Sequence, residues 1–538
     1  MTANRNGNSS LTAARLVLAT VTAASVALGG VVLMPAAFSW AHVRRSDPTP
    51  LVVPPPKIKG VPGQPGPTAP SATISSNIGT LNVSPEVGFV GTPVNVTGSG
   101  LTPNANVILT WQTATETWLL DPEVGTVNYM GRTAAKFNVV IANTTTDGNG
   151  HFSVTFKAPN DWGGVHELYA DISGTDVAEG GFLISRRVTV HPRSGPIGTP
   201  ITITYTGFAA DLYEGGAALL WDNHITGEMM ANWTRGTAKF VIRAAGPVGK
   251  HTIEVGDAID FLYLNLPQAS DSWAIGGTAT FDTISDNGRP KAAIDWPVSV
   301  SPTVSSKTTL VPGAVDGNSS VHMRLSRRSG QLGTKIKVTA TGLTPKSPVD
   351  LEWATVVGSR VNCTSVCWQT STVSLGNVTP SSGTLSTSVR VPDNLGGWHV
   401  IQLNQGGNLM AQIPFYMKES LVGKGVSSLV LKPGQHFTIH LKGVGWTQID
   451  NTVGVDYDNS YVGYACGFGS NGDVVINLHA TGGPGTHIID IYPQLYTLTP
   501  SFANTPWGLI PILTYARDDP GLALGYQLPA IRLAITVR

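Results

Sequence analysis

Displaced by 236 positions the chain falls onto itself: Gly198, Gly207, Trp221, Asp222, Asn223, Gly236, Gly249 and His251 meet Gly434, Gly443, Tyr457, Asp458, Asn459, Gly472, Gly485 and His487 without insertion or deletion. Repetition at a fixed spacing constrains architecture before any single motif does. A second register, offset by 233, brings Gly150, Pro159, Gly163, Gly164 and His166 onto Gly383, Pro392, Gly396, Gly397 and His399. Two kinds of module were therefore copied together, in the order A, B, A′, B′. The four copies begin SPEVGFVGTPVNVTGSG at Ser84, HPRSGPIGTPITITYTG at His191, SRRSGQLGTKIKVTATG at Ser326 and LKPGQHFTIHLKG at Leu431.

With 538 residues each copy is long enough for its own core. Charged residues are 13% of the chain, and 61 residues are glycine. Against about 25% charge in an average soluble domain, this favours β-rich modules with many turns. A formal net charge of zero removes the electrostatic case for a nucleic-acid partner.

Apolar residues alternate with polar ones in every copy, at Val94 and Val96, Ile201 and Ile203, Ile336 and Val338, and Phe437, Ile439 and Leu441. A period of two marks half-buried strands. The next strand is expected to end in an aromatic residue, Trp111, Trp221, Trp353 or Tyr457. A hairpin tip is then expected at Asn149-Gly150, Gly236, Ser382-Gly383 or Asn471-Gly472. The predicted fold class is all-β, four tandem immunoglobulin-like β-sandwiches preceded by an amino-terminal hydrophobic helix and a Pro-rich linker. The predicted boundaries are 1–45 signal peptide or membrane anchor, 46–76 linker, 77–187 module A, 188–302 module B, 303–320 linker, 321–422 module A′ and 423–538 module B′.

The pattern SP-x-x-G-x-x-GT-x-V-x-V-x-G-x-G followed by LTP resembles the start of bacterial immunoglobulin-like repeats of the IPT/TIG type. The fourth copy departs from it at Gly434-Gln435, where Gly-Thr is expected. The resemblance implies spacer, adhesive or accessory modules of secreted bacterial proteins. It specifies fold rather than activity.

Arg5 and Arg15 precede an uncharged stretch from Leu16 to Ala41, which reads as an export signal cleaved after Ala41 or, if retained, as a membrane anchor. Either way the remainder is expected to be extracytoplasmic, with the membrane met only through this segment. Residues 46–76 are rich in proline, lack apolar periodicity and predict a stiff spacer without a packed core.

Three cysteines, Cys363, Cys367 and Cys466, lie in the second pair of modules alone. The short spacing permits a local Cys363–Cys367 bridge that leaves Cys466 free, although a link from Cys466 to either is the alternative. A zinc site would need a second close pair of ligands, and neither a metal nor another cofactor is expected.

His166, His251, His399 and His487 occupy one place in the four copies, each at the start of a strand with apolar same-face neighbours. The favoured reading is a structural corner in which an imidazole nitrogen bonds back to the backbone, with a ligand or catalytic role as the alternative. Asp222-Asn223, Asp458-Asn459 and Asp147-Gly148-Asn149-Gly150 read as turns rather than fragments of a calcium site, which wants about six to eight oxygen ligands.

About forty residues separate the His strand from the final strand in B and B′, and both inserts are aromatic. Phe261, Tyr263, Trp273, Tyr496 and Trp507 are the candidate binding residues, for an unknown surface glycan or protein. An extra strand pair completing the sheets is the competing reading of the inserts, including the apolar run Leu509 to Leu513. No G-x-S-x-G, HExxH or P-loop occurs, so no enzyme is expected. The sequence thus predicts an exported structural or adhesive protein, its sandwiches in series as a semi-rigid rod. A glycan- or protein-binding module is the alternative, and a role in an extracellular enzyme a remoter one.

Overall fold

The structure, a computed structural model, describes residues 50–55, 63–123, 126–208, 216–256, 277–297, 320–358, 368–423, 426, 429–447, 449, 452–495, 510–515 and 518–538. The expected leader or anchor, the Cys363–Cys367 pair and all five candidate aromatics lie outside these residues.

Module A contains β1 (Leu51–Val53), β2 (Thr73–Thr80), β3 (Asn82–Ser84), β4 (Val87–Gly88), β5 (Pro93–Gly98), β6 (Asn106–Glu123), β7 (Thr126–Thr145), β8 (Phe152–Lys157), β9 (Gly164–Ile172) and β10 (Thr175–Ile184). Module B contains β11 (Arg187–His191), β12 (Ser194–Gly195), β13 (Pro200–Thr206), β14 (Gly216–Trp221), β15 (His224–Met230), β16 (Thr237–Arg243), β17 (Gly249–Gly256) and β18 (Gly277–Thr283), with β19 (Ala293–Asp295) after it. Module A′ contains β20 (His322–Leu325), β21 (Ser329–Gly330), β22 (Lys335–Thr341), β23 (Val349–Gly358), β24 (Trp368–Val378), β25 (Thr384–Arg390), β26 (Gly397–Gln405) and β27 (Asn408–Met417). Module B′ contains β28 (Ser420–Leu421), β29 (Val430–Leu431), β30 (His436–Lys442), β31 (Thr452–Tyr457), β32 (Ser460–Cys466), β33 (Val474–His479), β34 (Gly485–Gln494), the single turn of helix α1 (Pro520–Ala523) and β35 (Ala530–Val537).

One arrangement recurs in all four. A three-stranded sheet, β3-β5-β8, β11-β13-β16, β20-β22-β25 or β28-β30-β33, faces a larger one built on the common order β4-β10-β9-β6-β7, β12-β18-β17-β14-β15, β21-β27-β26-β23-β24 or β29-β35-β34-β31-β32. In each larger sheet the two-residue first strand pairs in parallel with the last, and the main ladders are antiparallel. The alternating residues fill the space between: Val94, Val96, Ile201, Ile203, Ile336, Val338, Ile439 and Leu441 are all fully buried. These are immunoglobulin-like sandwiches.

Four sequence expectations change. The glycine turns at Gly150, Gly236, Gly383 and Gly472 do have left-handed backbones, but they carry the chain from the larger sheet to the smaller, so they are crossings and not hairpin tips. Trp111 and Trp353 do not end their strands. In B and B′ the aromatic residue is followed by Asp-Asn, and all four turn residues have positive φ, 51° and 68° at Asp222 and Asn223, 50° and 60° at Asp458 and Asn459. That is the geometry of a two-residue type I′ hairpin. The A modules lack those residues, so β6 runs twelve residues beyond Trp111 and pairs with β7 throughout, forming a long arm.

The linker expectation also gives way. Within it, β1 pairs with the arm at Leu51↔Leu120 and Val53↔Trp118, and Val53 is fully buried. Strand β2 joins β10 in parallel from Thr73. Both strands, LVV and TISSNIGT, are free of proline, so every residue in them keeps the backbone N–H that a sheet ladder needs.

Finally, residues 49–538 form one compact unit rather than a rod of separate sandwiches. Strand β19, expected at the end of module B, pairs with β35 of module B′. One apolar cluster takes Trp118, Leu120 and Val127 from A, Met230 and Trp233 from B, Tyr416 from A′, and Ile449, Leu495, Ile512, Leu522, Tyr526 and Leu528 from B′.

Candidate functional site

The four matched histidines form one device. Each ring nitrogen Nε2 bonds to the carbonyl four residues upstream, of Trp162 for His166 (2.7 Å), Pro247 for His251 (2.8 Å), Leu395 for His399 (2.8 Å) and Gly483 for His487 (2.9 Å). Trp111, Trp221 and Trp353 stack on their histidines with ring centroids 4.2, 4.8 and 4.5 Å apart, and Tyr457 lies tilted at 5.5 Å from His487. The imidazole thus closes the loop before its strand, which is the structural corner that the apolar neighbours suggested.

The two module types differ at the other nitrogen. In B and B′, Nδ1 donates to the turn aspartate at 2.6 Å, Asp222 Oδ2 or Asp458 Oδ2, while the second oxygen accepts the amide of Thr252 or Ile488 at 2.8 Å. Both carboxylate oxygens are therefore committed within the fold, as the turn reading requires. Burial opposes the charge on His487, but the Asp458 carboxylate outweighs it and raises the imidazole above its ordinary value. In A′ the partner is only the Ala354 carbonyl at 3.2 Å, and complete burial pushes His399 down to about 4. Asp147 likewise serves its turn, its Oδ1 accepting the amides of Asn149 and His151 at 2.8 and 2.9 Å, bonds that lower its pKa.

The paired glycines mark the junctions between modules. The amide of Gly396 donates to the Val444 carbonyl at 3.1 Å, and that of Gly163 to the matching carbonyl of Phe208. At the same two places Lys442 joins Asp393 to Asp473, 2.8 Å from each, and Thr237 bonds Asn160 at 2.6 Å.

The described part of the B′ insert is core. Its run Pro511–Leu513 lies along the free edge of β15, where the Glu228 amide donates to the Pro511 carbonyl at 2.7 Å and the Leu513 amide to the Glu228 carbonyl at 2.8 Å. Ile510, Ile512 and Leu513 are buried there. These residues are buried, but in place of a strand pair completing B′ they make a single bridge, Ile512 to Glu228, on the neighbouring module. The edge they cover would otherwise present unpaired backbone groups.

A buried polar seam separates B from B′. Arg243, at the end of β16, ion-pairs with Asp490 of β34 and donates to the carbonyls of Ile489 at 3.2 Å and Leu533 at 2.6 Å. Arg532 of β35 reaches Asp295 of β19 (2.9 Å), the Tyr492 hydroxyl (2.8 Å), the Val241 carbonyl (3.1 Å) and Asp490 (3.1 Å). Asn459 bridges the same seam, donating to the Arg243 carbonyl at 2.8 Å and accepting from Thr226 Oγ1 at 2.6 Å. Asp456, directly opposite Asp490 in the ladder, is fully buried with neither oxygen hydrogen-bonded. Burial and the Asp490 charge raise it well above the carboxylate range, with Arg532 opposing.

None of Arg243, Asp456, Asp490 and Arg532 was singled out by sequence reasoning, although a signal was present. Strand β17 alternates outward polar and inward apolar residues, GKHTIEVG, whereas its copy β34 reads GTHIIDIYPQ and is buried on both faces. Ile488 stands where Thr252 was and Tyr492 where Gly256 was.

At the rim of this seam is a cleft of about 520 Å³ lined by His224 of module B and by Tyr457, Asp458, Val462, Asn477 and His479 of B′. Among the described residues no group of three or more His, Cys, Asp or Glu side chains is placed to hold a metal. Cys466 is exposed and free.

No protein-family model matches the chain, and no curated protein matches it in sequence. Among solved structures, native alpha-2-macroglobulin of E. coli is similar at 9% identity over 91% of this chain and 32% of that one, with a TM-score of 0.15. The chain spans about a third of the length of that protein and of its Salmonella counterpart. The D1–D4 ectodomain fragment of ICAM-5 is similar at 11% identity over 85% of this chain and 99% of that one, TM-score 0.15. Fibronectin(III)-like modules of Clostridium thermocellum CbhA match 40% of this chain and 94% of theirs at 11% identity, TM-score 0.13. These scores carry no argument about function, and the fold rests on the sheet topology above.

Proposed function

We propose that the chain is an exported, cell-surface or secreted structural and adhesive protein. In this reading its modules are of the IPT/TIG type and its partner is a surface glycan or protein, with no enzymatic activity. The observation that supports it is the apolar cluster shared by all four modules. A core built from four sandwiches makes a stiff body that bears load between envelope and partner, and the uncharged stretch Leu16–Ala41 supplies the route out of the cytoplasm. The test compares the full chain with one lacking residues 1–45 in a bacterial host. Labelling by a membrane-impermeant reagent on intact cells is expected for the first only. A full chain that stays inside sinks the reading.

A second reading, ligand recognition, is favoured by the cleft at the B–B′ rim, where exposed His224, Asn477 and His479 stand around it. Polar side chains beside an apolar wall that includes Val462 and Leu478 suit the hydroxyls and ring faces of a glycan. Loss of envelope-polysaccharide binding in Asn477→Ala with His479→Ala supports this reading, and unchanged binding removes it.

A further inference from the structure

Three modules meet at one carboxyl group. Asp518, in the B′ insert, is fully buried. Its Oδ1 accepts from the indole Nε1 of Trp118 on the module A arm at 3.2 Å, and its Oδ2 from the amide of Trp233 in module B at 3.3 Å. Its own amide donates to the Thr514 carbonyl at 3.0 Å, and the Thr514 hydroxyl accepts from the Met230 amide at 3.1 Å. The rest of the wall is apolar, with Val53, Leu120, Val127, Ile512 and Leu522 in the same cluster.

Elements of A, B and B′ bring charge close to this point. Arg132 comes from β7, Glu116 from β6, Glu228 from β15, and Asp519 is the next residue, its Oδ1 capping α1 through the Gly521 amide at 2.7 Å. Arg132, Glu228, Asp518 and Glu116 all lie close enough to the Tyr129 hydroxyl to act on it. On the A′ side Tyr416 joins the cluster, its hydroxyl exchanging hydrogen bonds with the backbone of Gln527. Acids from A, B and B′ therefore outnumber the one guanidinium among them.

We propose that Asp518 is a proton-controlled latch: protonated, it holds the module A arm, module B and the B′ insert as a closed seam, and ionised, it loosens that seam. Burial is the largest influence and lifts the group to about 7, while the bonds from Trp233 and Trp118 and the charge of Arg132 pull the other way. An opened seam returns the carboxyl to water, where an aspartate titrates near about 4. The closed form then keeps a proton that the open form releases, so opening becomes easier as pH rises between those limits, by up to about tenfold per pH unit, and levels off above.

Hydrogen exchange of the full-length chain from pH 5 to 8.5, corrected for the intrinsic rate, reads this directly in peptides covering residues 114–123 and 510–529. The wild type is expected to show the rising opening constant with a break near neutrality. Asp518→Asn keeps an acceptor for Trp118 but cannot ionise, and is expected to give a flat profile. Trp118→Phe removes a donor that favours the carboxylate, so its break is expected at higher pH. A flat wild-type profile overturns the latch, and so does a slope in Asp518→Asn equal to that of the wild type. Should Asp518→Asn fail to fold, a break left in place by Trp118→Phe overturns it equally.

Discussion

Gly396 lies against the carbonyl oxygen of Gly443, so close that a Cβ on Gly396 would overlap it, and Gly163 stands in the same relation to Gly207 in the first half of the chain. The duplicated Gly-Gly step is thus a junction part, required because two backbones touch. Gly396→Ala is expected to cost about 3 kcal/mol, the scale of overpacking at a site that cannot relax. Gly164→Ala is the control: its φ of +89° strains an alanine but nothing lies within 4 Å, so about 1–2 kcal/mol is expected. Denaturant midpoints of the two variants measure the difference.

The corner histidines are expected to titrate in opposite directions. His487 is raised in the fold, so it binds its proton more tightly than in the unfolded chain. Its contribution to stability is complete below about 6.5 and is lost as pH rises through the folded value. His399, lowered to about 4, works the other way: its contribution is present above about 6.5 and is lost as pH falls towards 4. Imidazole Cε1–H chemical shifts over pH 3–9 check both, with Asp458→Asn expected to return His487 towards its ordinary value.

How much was legible depended on whether a residue's neighbours lay within its own copy. The alternation at Ile201 and Ile203 and the paired His251 and His487 answer to local cores, and the period-two pattern with matched landmarks identified both. The seam residues Arg243, Asp490, Arg532 and Asp518 answer to another module, and register within a repeat carries no information about which copy packs on which. The one accessible clue was asymmetry between copies, the apolar outer face of β34 against the polar one of β17. The arm of module A was hidden for a related reason: it forms because Asp-Asn is missing after Trp111, and an absent turn is harder to read than a present one.

A single atom separates the corners of A and A′. Asp161 accepts from Trp111 Nε1 at 2.9 Å and from Thr113 Oγ1 at 2.8 Å. Its counterpart Asn394 has one acceptor oxygen, already bonded to Thr355 Oγ1 at 2.6 Å and to the Leu395 amide at 2.9 Å, and Trp353 Nε1 is left without a partner. Asn394→Asp is expected to supply that acceptor and, by placing a carboxylate near the ring, to raise His399 from about 4. A downfield shift of the Trp353 indole proton together with a higher His399 midpoint is the expected pair of changes.

Asp456 tests whether the B–B′ seam tolerates its own polarity. The charges of Arg243 and Arg532 are matched by Asp490 and Asp295, so Asp456 has no cation left to balance, and neither of its buried oxygens is hydrogen-bonded. The equivalent position in module B, 236 residues earlier, is Leu220. Asp456→Leu is therefore expected to stabilise the protein by about 1–3 kcal/mol, the usual penalty of an unsatisfied buried group. Because the fold raises this carboxyl well above its unfolded value, the wild type retains a proton that the unfolded chain loses, and its stability declines as pH rises through the unfolded value. The gain from the substitution is accordingly expected to be larger at pH 8 than at pH 4, as measured by thermal unfolding at the two pH values. Destabilisation at both would mean that the carboxyl has a partner in the seam that leucine cannot replace.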